Sequence, residues 1–191
     1  MIAPPHRQKV FFSDRHRAPD WRAALAKGGP ACGLILRDYD ATDRPAMAED
    51  MRALCQTQGR FFAIAGDYKL ARRMGAAFHC PSHLLRRPLR HGGLDPIDAQ
   101  DTAAAHNEAE IMAAARAGFH RVFISPIFQT RSHIGQAGLG PVRARKLAFR
   151  AIALGLTPLA LGGMDARRLA RLNGASPVFY GLGAIDAFSA S

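Results

Sequence analysis

The feature that most constrains the fold of this chain is a repeated alternation of two kinds of segment. Short runs rich in apolar, β-branched or aromatic residues recur, and between most of them lie segments whose apolar residues have helical spacing. Because neighbouring parallel strands need a crossover, usually a helix, this alternation predicts a parallel sheet covered by helices. The seven strands predicted in this way are VFFSD (10–14), GLILRD (33–38), FFAIAGD (61–67), AAFHCP (76–81), RVFISPIF (121–128), TPLALGG (157–163) and PVFYGLG (177–183).

An eighth strand could lie in residues 98–105, DAQDTAAA, although this sequence is poor in strand-forming residues. Eight strand–helix units in 191 residues allow about 24 residues each, fewer than in the usual (β/α)8 barrel of roughly 250 residues. We therefore predict an α/β protein with a compact (β/α)8 TIM barrel, formed by a single domain over residues 1–191. A flavodoxin-like open sheet is the alternative.

Capping patterns locate several of the predicted helices. Asn107 with Glu110 has the pattern of a capping box, ahead of a helix that is expected to end at Gly118. Asp165 is expected to cap another helix, which should end at Asn173-Gly174.

The composition narrows the classes of partner. Lys and Arg number 26 against 15 Asp and Glu, a net charge of +11, and such a surface attracts anions. The arginines are scattered along the predicted helices without interleaved aromatics, which disfavours a nucleic-acid partner. No apolar stretch reaches 18 residues, so we expect no membrane span or membrane partner. Three sparse cysteines and the lack of a signal-peptide pattern predict a cytoplasmic protein, and a homo-oligomer is compatible with these features.

Polar residues gather where the predicted strands end. Asp14, Arg37 and Asp67 follow the first three strands, and the stretch ISPIFQTRSHIGQAGLG (124–140) carries hydroxyls and cations directly after a strand. In a barrel these strand ends lie on one face, the catalytic one. Gly162-Gly163 precedes a predicted helix, where backbone amides and the helix dipole favour an anion. The sequence therefore predicts a phosphate-binding site at this face.

The order of these motifs resembles that of thiamine-phosphate synthase and its relative, the thiazole tautomerase. The resemblance extends from about residue 10 to 187 and implies a (β/α)8 barrel. It also implies an enzyme of the transferase type, which joins hydroxymethylpyrimidine pyrophosphate to a thiazole phosphate and releases pyrophosphate with the help of Mg²⁺. It rests on GLILRDYD, AIAGDYKLARRMGAAFH, AAAHNEAEIMAAARAGF, FISPIFQTRSH, LTPLALGGMDARRLARLNGA and YGLGAID.

The resemblance assigns most of a thiazole-phosphate site to this chain. The hydroxyls of a family Thr-x-Thr motif match Thr130 and Ser132. The glycine after the seventh strand falls at Gly162 or Gly163. Two backbone contacts to the phosphate fall at Leu182 and Gly183.

The pyrophosphate side of the resemblance is less complete. Arg37 matches the arginine that holds the pyrophosphate, Asp67 remains as one Mg²⁺ ligand, and His133 stands where the family has a lysine. Because one or two carboxylates usually hold Mg²⁺ on a pyrophosphate, Asp67 alone would bind the ion weakly. The other departures are Tyr39 for a lysine, Ala104 for a serine, and no carboxylate near His83-Leu84, where the second metal ligand is expected.

These departures leave two functions open. The first is a divergent thiamine-phosphate synthase in which Arg37, Asp67 and His133 serve the pyrophosphate. The second is a non-synthase paralogue, a thiazole-phosphate binder or a tautomerase-like isomerase, that has lost the pyrophosphate and Mg²⁺ site. The catalytic histidine of the tautomerase is Pro126 here, so His79 or His106 would have to act as acid or base, and His79 could equally be a packed structural residue.

Overall fold

Strands and helices alternate throughout the computed structural model, which describes residues 8–85, 97–130 and 137–188. The strands are β1 (Gln8–Phe12), β2 (Gly33–Leu36), β3 (Phe62–Ala65), β4 (Ala77–Cys80), β5 (Thr102–Ala105), β6 (Arg121–Ile124), β7 (Thr157–Leu161) and β8 (Gly181–Ala184). The helices are α1 (Trp21–Lys27), α2 (Arg44–Thr57), α3 (Tyr68–Arg73), α4 (Ser82–Leu85), α5 (Glu108–Arg116), α6 (Gly140–Ala153) and α7 (Ala166–Asn173).

The strands form a closed barrel in which each strand pairs in parallel with the next one along the chain. β8 pairs with β1, with Gln8 opposite Gly181 and Val10 opposite Gly183, and this pairing closes the sheet. The predicted (β/α)8 barrel is therefore confirmed, and the open flavodoxin-like sheet is wrong. The prediction of one domain over residues 1–191 includes residues outside the described ranges and stays a prediction.

The weakly predicted eighth strand is β5, whose four residues are all buried between β4 and β6. The buried carboxylate of Asp101 precedes it and accepts hydrogen bonds from the amides of Phe78, at 2.7 Å, and Asp98, at 3.0 Å. Asp101 also pairs with Arg72 of α3. Long-range contacts of this kind create a strand where the local propensity is low.

The last strand begins later than the sequence indicates. Residues 177–180 were predicted as part of it, but β8 starts at Gly181. The reason is Asn173, whose side-chain oxygen accepts hydrogen bonds from the amides of Val178, at 3.1 Å, and Phe179, at 2.9 Å. Those amides are therefore used in a turn and not in the sheet.

The apolar core has two layers, one between barrel and helices and one inside the barrel. In the interior, the ring of Phe12 meets the rings of Phe123 and His79 edge to face, with centroids 5.1 and 5.3 Å apart. The barrel is thus a packed core with its open space at one end. The interior cluster consists of Val10, Phe12, Ile35, Ala63, Ala65, Phe123 and Leu159.

Two predicted caps are present. The side chain of Asn107 accepts from the amide of Glu110 at the start of α5, and the side chain of Asp165 accepts from the amide of Arg168 at the start of α7. The side chain of Glu110 returns to the amide of His106, at 2.7 Å, so the capping box closes one residue before Asn107. Within the described ranges, no helix is long and apolar enough to cross a membrane.

Candidate active site

A cavity of about 540 Å³ lies at the carboxyl ends of the strands. Its wall comes from residues that end or follow β1, β2, β6, β7 and β8, so residues far apart in the sequence meet there. This is the end at which barrel enzymes of this architecture carry their active sites, and the volume suits a small-molecule ligand. The predicted site residues among its lining are Arg37, Thr130, Gly162 and Gly163.

The loop after β7 requires glycine. Gly162 and Gly163 have φ angles of +92° and +63°, a region that side chains other than glycine rarely adopt. A Cβ on Gly162 would lie 2.6 Å from the Cα of Pro126. The carbonyl of Gly162 accepts a hydrogen bond from the amide of Phe128, at 3.1 Å, which holds the loops after β6 and β7 against each other.

Several polar groups of these two loops have no hydrogen-bond partner among the described residues. The amides of Gly163 and Met164 have no acceptor among the described residues. Thr130 lines the cavity, and its buried hydroxyl too lacks a hydrogen-bond partner within the described ranges. Since buried polar groups are normally satisfied, these donors mark a place for a ligand with acceptor oxygens, such as a phosphate. Ser132 and His133, predicted for the same site, lie outside the described residues.

Arg37 reaches the cavity from the end of β2 and is held by a small network. Its Nη2 donates to Asp14 at 2.7 Å, and its backbone amide donates to the hydroxyl of Ser13 at 2.9 Å. That hydroxyl donates in turn to the buried carboxylate of Asp38. The Nε of Arg37 is buried without a partner in the described part of the chain. The guanidinium is therefore oriented by protein groups at the cavity wall, and its positive charge favours an anion there.

The two positions predicted in the last strand are placed differently. Leu182 and Gly183 lie within β8, and neither is among the described residues that line the cavity. A Cβ on Gly183 would lie 2.5 Å from the ring of Phe12, so this glycine makes room for the barrel interior. The part of the segment that does line the cavity follows directly, at residues 184–187.

Asp67, the predicted Mg²⁺ ligand, serves as the N-cap of α3. One carboxylate oxygen accepts from the amide of Leu70 at 2.9 Å, and the other lies 3.9 Å from Nη1 of Arg44. Asp67 is not among the described residues that line the cavity. No group of three or more metal-ligating side chains occurs in the described ranges. Since one or two carboxylates usually hold Mg²⁺ together with phosphate and water oxygens, Asp67 offers the ion at most the one carboxylate oxygen that is not used in the cap, with Arg44 close to it.

Arg44 places a positive charge near the carboxylate of Asp67. Its guanidinium is buried, donates to the carbonyls of Leu36 and Ala65 at the ends of β2 and β3, and lies over the ring of Tyr39, 5.7 Å from its centroid. Burial lowers the pKa of Arg44, while the neighbouring Asp67 opposes that shift. A positive charge thus already occupies the surroundings of this carboxylate.

The two histidines considered as acid or base differ in environment. His79 is buried, with Nδ1 2.8 Å from the hydroxyl of Thr102, and burial together with Arg37 lowers its pKa to about 3. It is therefore a neutral, packed residue at neutral pH. His106 lies closer to the site, because its Nδ1 is 2.6 Å from the carbonyl oxygen of Ser125, a residue of the cavity wall.

Four charged cavity residues were not predicted as site residues, namely Arg17, Asp186, Arg168 and Asp165, the last of which was predicted only as a helix cap. Arg17 follows β1 and pairs with Asp186, which follows β8, and Arg168 lies in the first turn of α7. Only closure of the barrel brings the β1 and β8 residues together, so no local pattern could have revealed that pair. Arg168 could have been found from its position shortly after the glycine loop.

A closed parallel barrel whose open end carries glycine-loop amides and several arginines defines a (β/α)8-barrel protein with a cavity suited to a small anionic ligand. The family described as thiamine monophosphate synthase matches residues 10–178, and the chain belongs to that family. The expected family and the enzyme class, a transferase, are thereby confirmed.

Individual relatives agree with this assignment. The chain is 31% identical over 160 residues to a thiamine-phosphate synthase from Chromobacterium violaceum, covering 78% of this chain and 72% of that protein. Thiamine phosphate pyrophosphorylase from Pyrococcus furiosus superposes with a TM-score of 0.71 at 17% identity, over 98% of this chain and 90% of that chain. The corresponding protein from Bacteroides thetaiotaomicron gives a TM-score of 0.54 at 16% identity, over 95% and 83%. At these identities the structural matches show the fold alone.

Proposed function

We propose that this protein is a thiamine-phosphate synthase, which joins hydroxymethylpyrimidine pyrophosphate to thiazole phosphate and releases pyrophosphate. The observation that carries the proposal is the single cavity lined by Arg37, Thr130 and the Gly162-Gly163 loop. Residues expected for the pyrophosphate and residues expected for the thiazole phosphate thus face the same space. A transfer between two bound substrates needs this arrangement, because the reacting atoms must meet.

Each part of the cavity has a role in this reaction. The amides after β7 and the hydroxyl of Thr130 bind the thiazole phosphate. Arg37 binds the pyrophosphate and stabilises the negative charge that grows on it as it departs, and Asp14 keeps the guanidinium in place. His79 is neutral and packed, which leaves proton transfer to other groups.

Mg²⁺ is the cofactor expected from the family, and it would supply further positive charge to a departing pyrophosphate. The carboxylate that should hold it caps a helix and faces Arg44. The synthase reaction of this chain therefore depends more on Arg37 than the resemblance implies.

The test is to incubate the purified protein with both precursors and measure thiamine phosphate and pyrophosphate, with Mg²⁺ and with a chelator. We expect both products from the wild-type protein, and an Arg37→Gln variant should be slower by on the order of 10- to 100-fold, the value of a hydrogen bond to a charged group. Arg15→Gln is the matched control, because Arg15 is an exposed arginine of a neighbouring loop outside the cavity wall. Absence of both products from the wild-type protein would remove the synthase proposal.

The second candidate function is a binder or isomerase of thiazole phosphate without a pyrophosphate site. It is favoured by one observation: one carboxylate oxygen of Asp67 caps α3, and the other lies 3.9 Å from the cation of Arg44, which disfavours a metal ion there. In this case thiazole phosphate alone stabilises the protein, by about 2.7 kcal/mol at 100 times its Kd, and neither the pyrimidine substrate nor Mg²⁺ changes the melting temperature. Stabilisation by the pyrimidine pyrophosphate would instead speak for the synthase.

A further inference from the structure

The cavity wall contains an arginine that neither the family resemblance nor the proposed roles account for. Arg168 is the third residue of α7, the helix that begins after the Gly162-Gly163 loop. Its side chain is 50% exposed and lines the same cavity as Thr130 and the glycine loop.

Two contacts fix the guanidinium of Arg168 at this place. Nη1 donates to the carbonyl of Gly163, and the guanidinium carbon lies 5.1 Å from the centroid of the Phe128 ring, in the loop after β6. Gly163 belongs to the other loop of the site, so Arg168 touches both loops. An arginine stacked on an aromatic ring loses little freedom when it binds a further group.

The guanidinium retains most of its hydrogen-bonding capacity. Of the five N–H groups of an arginine, the described residues accept a hydrogen bond from one, the Nη1 bond to Gly163. The carboxylate of Asp165 lies 3.9 Å from Nε, which is too long for a hydrogen bond.

Arg168 also differs from the other two cavity arginines in its charge partner. Arg17 is in direct contact with the carboxylate of Asp186, and Arg37 lies 2.7 Å from that of Asp14. Arg168, whose carboxylate neighbour Asp165 is 3.9 Å away, is therefore the least closely paired of the three, and it lines the same cavity as Thr130 and the Gly162-Gly163 loop.

We propose that Arg168 binds the phosphate group of the substrate and determines the preference of this cavity for the phosphorylated over the dephosphorylated thiazole. This inference rests on the proposed function for the identity of the substrate, but not for the existence of the anion site. The planar guanidinium offers a phosphate two parallel hydrogen bonds, and Gly163 and Phe128 hold it in position.

The experiment measures the affinity of three probes by calorimetry: thiazole phosphate, the dephosphorylated thiazole and inorganic phosphate. Arg168→Gln should lower the affinity for thiazole phosphate by on the order of 10- to 100-fold and leave the affinity for the dephosphorylated thiazole nearly unchanged. Arg168→Lys should restore part of the loss, because it restores the charge without the planar fork. Arg167→Gln is the matched control, since Arg167 is the exposed neighbour outside the described cavity lining and its removal changes the net charge equally.

The outcomes separate this inference from the proposed function. If the wild-type protein binds inorganic phosphate through Arg168 but neither thiazole, the proposed function fails and the anion site stands. If Arg168→Gln weakens both thiazoles equally, the residue only supports the loops and the inference is overturned. Unchanged affinity for thiazole phosphate and inorganic phosphate in Arg168→Gln overturns it too, as does a wild-type protein that binds no probe.

Discussion

Replacing Gly162 by alanine should lower the free energy of unfolding more than the same replacement at a glycine whose only constraint is a positive φ angle. At a φ of +92°, an alanine costs about 1–2 kcal/mol through its Cβ alone. The new Cβ would also lie 2.6 Å from the Cα and 2.8 Å from the Cβ of Pro126. Because that contact is with backbone, it is relieved only by separating the loops after β6 and β7, at a further cost of about 1–3 kcal/mol. We therefore expect Gly162→Ala to lower the free energy of unfolding by about 2–5 kcal/mol.

Gly155→Ala is the matched control for this prediction. Gly155 has a φ of +78°, but a Cβ there would meet no atom within 4 Å, so only the backbone term of about 1–2 kcal/mol applies. Urea denaturation of both variants gives the difference directly. The same samples should show that Gly162→Ala loses stabilisation by thiazole phosphate and that Gly155→Ala keeps it. Equal losses of stability in the two variants would refute the close approach of the two loops.

Three further predictions concern the pKa of His79, the buried carboxylate of Asp101 and the helix cap formed by Asp67. Urea denaturation measures the change in stability of each variant. The pKa of His79 is lowered to about 3, so below pH 6.5 the unfolded chain takes up a proton that the native protein does not. The contribution of His79 to stability is therefore full above pH 6.5 and is lost as the pH decreases. His79→Gln should remove about 2 kcal/mol of the decline in the free energy of unfolding between pH 7.5 and 5. Identical pH profiles would contradict this. Asp101→Asn should cost about 3 kcal/mol, because it leaves Arg72 without its buried carboxylate; a loss below 1 kcal/mol would mean that the pair contributes little. Asp67→Ala should lower the free energy of unfolding by about 1 kcal/mol, because α3 loses its cap. Mg²⁺ should leave the melting temperatures of the wild type and of this variant unchanged. A stabilisation by Mg²⁺ that disappears in the variant would show that Asp67 binds the ion.

The sequence predicted best those features that depend on neighbours along the chain. The caps Asn107 and Asp165 were found because a cap and its helix are local, and the barrel followed from the order of the strands. The strand β5 was only weakly predicted, since pairing with β4 and β6 creates it and its own composition does not. The start of β8 was misplaced because Asn173 binds the amides that precede it.

The residues of the candidate site also divide into those that local sequence predicts and those that only long-range contacts bring together. Gly162 and Gly163 were predicted from the position of glycine before a helix, and they line the cavity. The pair of Arg17 and Asp186 joins residues 169 positions apart, and only barrel closure brings these residues together. Asp67 has a pattern that suits two roles, because a carboxylate after a strand and before a helix can hold a metal or cap the helix. The choice depends on Arg44, which approaches from another element.

The two ends of the site therefore differ in what the sequence must preserve. The proposed thiazole-phosphate end is built from backbone amides and one hydroxyl, and it needs only glycine where the loops touch. The proposed pyrophosphate end depends on side-chain charge, where Arg37 lies 2.7 Å from Asp14 and Asp67 lies 3.9 Å from Arg44. A divalent cation at Asp67 would lie within a few ångströms of the guanidinium of Arg44, and the two positive charges would repel each other with little screening. Pyrophosphate, being an anion, is attracted by the same guanidinium. Of the two arginines near these carboxylates, Arg37 lines the cavity and Arg44 is not among the described lining residues, so the proposed pyrophosphate site relies on Arg37.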